Sequence, residues 1–207
     1  MKHQNKNAIS LETKISQALH FFDKQTGAVI PSIEHSATYA RDDNYKPIKD
    51  YWYRRDGNST TSHAEAIIAE LESAKRSILF SSGMSACTAV LENLLPDSHV
   101  IVPTVMYHGV LQQLKEFEKK KRIRISYYSA GNLEELKNVI KHGETKLIWV
   151  ETPNNPNWEV TDISKVAKIA KSAGAILITD CTATPPPMTC ALSLGSDVSF
   201  HSATKYL

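Results

Sequence analysis

Lys205 stands in the stretch SFHSATKY, with Ser202 three positions before it and Thr204 immediately before it. An amine beside two hydroxyls is a donor set for an anion or for a carbonyl; it is equally a solvent-facing lysine at a turn. Asp180 closes the apolar run ILITD, where a carboxylate either caps the following turn or meets a cationic group. Ser81, Ser82 and Gly83 lie between RSILF and MSACTAVLENLL. A glycine there permits close backbone approach, and the free N–H groups of a helix start point outward, so the turn suits a phosphate. It lacks the Gly-Lys-Ser/Thr of a Walker loop and is no dinucleotide fingerprint. Asn155, in ETPNNPNWEV, offers a side-chain amide from a proline-bounded turn, or is plain turn chemistry.

These residues need elements to position them, and from residue 61 onward the pattern alternates. Apolar spacing predicts helices over 62–74, which Ser62 caps, 84–95, 107–120, 132–142, which Asn132 caps, and 162–173, which Gly174 ends. Short apolar, β-branched runs predict strands over 76–80, 99–103, 123–128, 146–151, 175–180 and 196–202. Strand–helix–strand units of this kind imply an α/β fold with a mostly parallel sheet covered on both faces. In such sheets function gathers at the carboxyl ends of the strands, which is where the polar residues above fall. Residues 1–60 differ. After a short helical stretch over about 10–22, little periodicity remains, and aromatics and arginines are scattered between turn residues. So long an irregular segment reads as an arm packed on a partner.

Composition excludes several classes. With 207 residues, 42% of them hydrophobic, the chain can bury a sizeable core. A net charge of +2 gives no argument for nucleic acid. The local excess EKKKRIRI reads as a solvated helix end running into a strand. Cys87, Cys181 and Cys190 match no zinc spacing and no disulfide framework, which predicts reduced thiols and a cytoplasmic setting. No apolar run is long enough for a membrane-spanning helix, and no metal site is expected.

Taken together, the strand-end groups fit one ligand. Pyridoxal 5'-phosphate has a phosphate for the nest, a ring nitrogen for the aspartate and an aldehyde for the lysine amine. The resemblance is then specific. GAVIPSIEHSATY, YRRDGNSTT, SSGMSA, VETPNNP, ITDCTATP and SATKYL resemble, in order, the motifs of the Cys/Met metabolism PLP-dependent enzymes: cystathionine γ-synthase, the cystathionine γ- and β-lyases, methionine γ-lyase and the O-acyl-homoserine sulfhydrylases. The resemblance runs from about residue 25 to the end.

It implies the large domain of a fold type I PLP-dependent transferase, with 61–207 as the PLP-binding domain and the C-terminal domain missing after the Schiff-base lysine. It implies that Lys205 forms the Schiff base and moves protons, that Asp180 pairs with the ring nitrogen, and that Tyr107 stacks on the ring and assists proton transfer. Gly83 and Met84, by their amides, and Ser202 and Thr204, by their hydroxyls, are then the phosphate site; Asn155 lies near the ring oxygen. Tyr53 and Arg55 reach from the 1–60 arm into a neighbouring subunit's site. Homodimers sharing active sites, assembled as tetramers, are implied as partners, with a small amino acid as substrate. The implied reaction is β- or γ-elimination or γ-replacement on sulfur-containing or O-acylated amino acids; a fragment that folds or binds the cofactor without turnover is the alternative. Ser59, Cys181, His108, Trp158 and Gln112 depart from the family pattern, which bears on substrate identity.

Overall fold

The computed structural model describes residues 10–207, and the chain divides into two compact units, one ending at Leu79 and one spanning Phe80–Leu207. Residues 1–9 of the expected arm lie outside the described residues.

In the first unit, helix α1 spans Leu11–Ser16 and helix α2 spans Ser59–Leu71. The expected helix over about 10–22 is shorter, because Ala18, Leu19 and His20 all take positive φ and end it. Helix α2 begins earlier than the apolar spacing suggests. Asn58, not Ser62, caps it, accepting the Thr61 N–H at 2.8 Å; a cap of this kind is worth about 1 kcal/mol. Between the helices the chain is irregular, held by isolated antiparallel bridges at Thr38–Tyr53 and Arg41–Pro47. The strand expected over 76–80 does not form. Its polar groups go elsewhere: Ser77 Oγ donates to the Glu65 carbonyl at 2.7 Å, and the Leu79 N–H donates to Glu65 Oε1 at 2.9 Å. The segment is tied to α2 rather than to a ladder.

The second unit alternates as expected. Helix α3 (Gly83–Glu92) leads to β1 (Ser98–Pro103), α4 (His108–Lys119), β2 (Ile123–Tyr128), α5 (Leu133–Val139), β3 (Thr145–Glu151), α6 (Ile163–Ala173), β4 (Ile176–Asp180), a 3-10 turn at Leu192–Leu194, and β5 (Val198–Phe200). The sheet is entirely parallel, in the order β2-β1-β3-β4-β5. The chain winds outward from β1 in one direction to β2, then crosses back to β3 on the other side. A crevice at the carboxyl ends of β1 and β3 follows from that reversal.

Alternation along the strands builds two cores. Val100, Val102, Leu147, Trp149, Ile178 and Phe200 join Cys87 and Leu91 of α3 and Val110, Leu114 and Phe117 of α4 on one face. On the other, Ile101, Ile148, Val150 and Leu177 meet Leu136 of α5 and Ile163, Val166, Ala170 and Ala173 of α6. The spacing 110, 114, 117 and the spacing 163, 166, 170, 173 are helical stripes, and Gly174 closes α6 at φ 70°, a conformation that disfavours any side chain.

His99, at the amino end of β1, is fully buried. Its Nδ1 bonds Thr145 Oγ1 of β3 and its Nε2 bonds Ser126 Oγ of β2, both at 2.8 Å, while Thr145 Oγ1 also accepts the Lys141 N–H at 3.0 Å. Burial, with Lys141 and Arg124 adding to it, lowers the His99 pKa. The folded state therefore resists a proton that the unfolded chain takes up near pH 6.5. Stability is expected to fall as pH drops through that region. Urea midpoints at about pH 7.5 and about pH 5.5 check this: the acid loss in the wild type should exceed that in His99→Gln.

Candidate active site

Three strands deliver acids and hydroxyls to one end of the sheet. Glu151 closes β3 and Asp180 closes β4, and the two are register partners. Each lies in the same alternating row as Trp149 and Ile178, so both carboxylates face the α3–α4 side. Asp180 is 4% exposed. Its Oδ1 accepts the Thr182 N–H at 3.0 Å, and Thr182 Oγ1 accepts the Ser202 N–H at 2.9 Å. Ser202 carries the relay onward: Lys205 N–H donates to its carbonyl at 3.1 Å, and Lys205 Nζ donates to Ser202 Oγ at 3.4 Å and Thr204 Oγ1 at 3.3 Å. The end of β4 is thus wired to the lysine through Thr182 and Ser202.

Burial raises the Asp180 pKa, opposed by its bonds to Thr182 and by the positive charge of His201 and Lys205. Burial likewise pushes the Cys87 thiol up to about 12, with the Asp180 charge adding to it. A buried carboxylate held at such a cost is a candidate for meeting a cationic or protonated partner.

Helix α3 supplies the opposite wall. Ser82 caps it, accepting the Ser85 N–H at 3.0 Å, which leaves the first N–H groups, those of Gly83 and Met84, for a ligand. A Cβ on Gly83 would fall 3.2 Å from both Cβ and Oγ of Ser202. Glycine therefore lets the helix start meet the Ser202 hydroxyl. Tyr107 begins α4 with no side-chain cap bond, and the residue is 43% exposed. A Cβ on Gly109 would fall 2.7 Å from Tyr107 Cε1 and 3.2 Å from Met84 Sδ, so the ring folds back over the start of α4 beside Met84. Asn155 is exposed in the turn after β3, and its N–H donates to Glu151 Oε1 at 2.7 Å.

The structure thus brings Gly83, Met84, Tyr107, Asn155, Asp180, Ser202, Thr204 and Lys205 to the ends of β1, β3, β4 and β5 and the start of α3. Tyr53 and Arg55 belong to the first unit. Both are exposed, and the Arg55 guanidinium lies over the Tyr53 ring, 5.3 Å from its centroid. Two further members were missed from sequence. Thr182 sits inside ITDCTATP and Glu151 inside VETPNNP; Glu151 shows the same signal as Asp180, an acid closing an apolar strand. The donor set fits pyridoxal phosphate: outward N–H groups and hydroxyls for an anion, an amine within reach of both hydroxyls, and a buried carboxylate linked to that amine. Among the described residues no helix is long and apolar enough to cross a membrane, and no metal-binding cluster is present.

Comparison with known proteins agrees with that fit. The family of Cys/Met metabolism PLP-dependent enzymes matches residues 12–207. A cystathionine beta-lyase of Lactococcus lactis subsp. cremoris is 36% identical over 198 residues, covering 96% of this chain and 52% of the relative. A cystathionine gamma-lyase of Bacillus subtilis is 37% identical over 185 residues, covering 89% and 48%. The crystal structure of cystathionine gamma synthase from Xanthomonas oryzae pv. oryzae, in complex with aminoacrylate and cysteine, superposes with a TM-score of 0.90 at 30% identity, covering 96% of this chain and 51% of that one. The chain spans about half the length of the curated relatives it matches. Its parallel five-stranded sheet with helices is the α/β arrangement of the fold type I large domain.

Proposed function

The chain belongs to the Cys/Met metabolism PLP-dependent enzymes, and we propose that it provides the cofactor site of a transsulfuration-type enzyme. The reaction would be β- or γ-elimination, or γ-replacement, on a sulfur-containing or O-acylated amino acid. The observation that supports this best is the convergence of Gly83, Ser202 and Lys205 with a buried Asp180 wired to the same lysine.

Lys205 would hold the cofactor's carbonyl carbon and then carry protons between substrate carbons. Asp180 would accept a hydrogen bond from the protonated ring nitrogen, exchanging the cost of a lone buried charge for a paired one. The Gly83 and Met84 N–H groups and the Ser202 and Thr204 hydroxyls would hold the phosphate, Asn155 the ring oxygen, and Tyr107 the ring face. When bound, pyridoxal phosphate supplies an electron-withdrawing ring that takes up the electron pair left on a substrate carbon when its proton departs. Tyr107, exposed and beside Met84, would shield that face from water and pass a proton to the leaving group.

The arm is proposed to pack on a second copy of the chain, with Tyr53 and Arg55 reaching that copy's phosphate site. The exposure of Val29, Ile30, Ile33, Tyr45 and Ile48 supports a covered surface there. A homo-oligomer in the cytoplasm is proposed on the same basis as the activity, from the family.

The experiment that tests the activity is incubation of the chain with pyridoxal phosphate and cystathionine, whose name the relatives carry. Keto-acid release with a free thiol is expected, pyruvate reporting cleavage at the β carbon and 2-oxobutyrate at the γ carbon. Cofactor binding without keto acid would support the reading in which this chain binds pyridoxal phosphate without turnover. Neither binding nor keto acid would overturn both.

A further inference from the structure

Glu151 is a buried acid at the strand ends to which the proposed chemistry gives no task. It is 5% exposed, and its two oxygens are spent on two different turns. Oε2 accepts the Tyr107 N–H at 2.6 Å, from the turn after β1; Oε1 accepts the Asn155 N–H at 2.7 Å, from the turn after β3. A second tie joins the same turns: Asn154, 1% exposed, donates from Nδ2 to the Val105 carbonyl at 3.1 Å. These turns flank the crevice where the winding of the sheet reverses. Tyr107 has no side-chain cap bond of its own, so the position of its backbone, set by Glu151, decides where the ring starts.

We propose that Glu151 is a positioning residue, which holds the Tyr107 and Asn155 turns in one arrangement through its two carboxylate oxygens and gives up one of these two ties when it takes up a proton, so that one titration is felt at both turns. An ionised carboxylate can accept both N–H groups with charge-assisted bonds. A protonated one must turn a hydroxyl toward an N–H donor and lose one of the two. The groups around it set where this happens. Asp180, its neighbour on β4, carries the facing negative charge and also acts on the Cys87 thiol of α3; His201 and Lys205 after β5 act on Asp180; Glu159, past the turn, accepts from Asn154 Nδ2 at 3.3 Å. Burial pushes the Glu151 acid up to about 7, the two N–H bonds opposing and Asp180 adding to the rise. Protonation therefore falls within an accessible range.

The roles of Tyr107 and Asn155 toward the cofactor rest on the function proposed above, but the clamp itself is a property of the chain alone. The test is therefore made on the unloaded chain, labelled with nitrogen-15 at tyrosine and asparagine, titrated from about pH 5 to about pH 9. The Tyr107 and Asn155 amide resonances should shift with one common midpoint near 7. Both shifts should vanish in Glu151→Gln. In Glu151→Asp, whose shorter arm cannot span both turns, at least one should vanish, and this variant decides if the glutamine variant fails to fold. Separate midpoints in the wild type, or titrations that survive both substitutions, would overturn the proposal. A second readout uses pyridoxal phosphate: its visible absorbance should depend on pH differently in Glu151→Gln. If the wild type takes up no cofactor, the functional reading fails while the amide titration still decides the role of Glu151.

Discussion

Lys205→Ala is expected to abolish borohydride-trappable incorporation of pyridoxal phosphate and to reduce keto-acid release by at least 10³-fold, on the order of the combined loss of a covalent anchor and an acid–base group. No other amine is bonded to the Ser202 and Thr204 hydroxyls, so nothing among the described residues takes its place. The side chain is exposed, and removing it should leave the folded state within about 0.5 kcal/mol of the wild type. The check is reduction, digestion and mass mapping of the wild type and the variant side by side, with a thermal melt of each. Label confined to Lys205 in the wild type and absent from the variant is the expected result. Equal labelling of the variant at other lysines would refute the assignment.

Asp180→Asn is expected to separate stability from function in opposite directions. The asparagine keeps an oxygen for the Thr182 N–H but carries no charge. Because burial raises the Asp180 pKa, the folded state holds its proton more firmly than the unfolded chain does. That contribution to stability is present below the unfolded pKa and is lost as pH rises through the folded one. Wherever the aspartate is ionised it therefore costs stability, and above that titration the variant should melt at the same temperature or higher. Its affinity for pyridoxal phosphate and its turnover should fall, turnover by about 10²- to 10⁴-fold, or roughly 3–5 kcal/mol. Melting curves of the unloaded proteins and cofactor titrations of both test the two halves independently. A variant that melts lower while binding the cofactor normally would mean that Asp180 serves the fold and not the ligand.

Much of this was legible because the signals are local. The short apolar, β-branched runs IRISYY, KLIWVE and ILITD mark three strands within a residue or so of those observed, and Asn132 caps α5 as its position suggested. The residues at strand ends followed from that register, which is why Asp180 and Lys205 stood out. What failed was non-local. RSILF has the composition of a strand, but a strand needs a neighbour, and the hydrogen bonds of this segment go to Glu65 on α2. The start of α2 was misjudged because the apolar stripe begins after the helix does, and Asn58 looked like one more turn residue. Glu151 was hidden by its company: the prolines and asparagines after it announce a turn, and only the fold shows that its oxygens reach back to Tyr107. The roles of Tyr53 and Arg55 depend on a second copy and remain part of the proposal.

The polar chain Ser126–His99–Thr145 has a mechanical consequence for the opposite end of the sheet. It cross-bolts β1, β2 and β3 at the amino end of β1, where Thr145 also grips the Lys141 N–H. A strand anchored in this way cannot slide past its neighbours without breaking buried bonds. The register that sets Glu151 beside Asp180 at the active-site end is therefore held from the far end of the sheet as well.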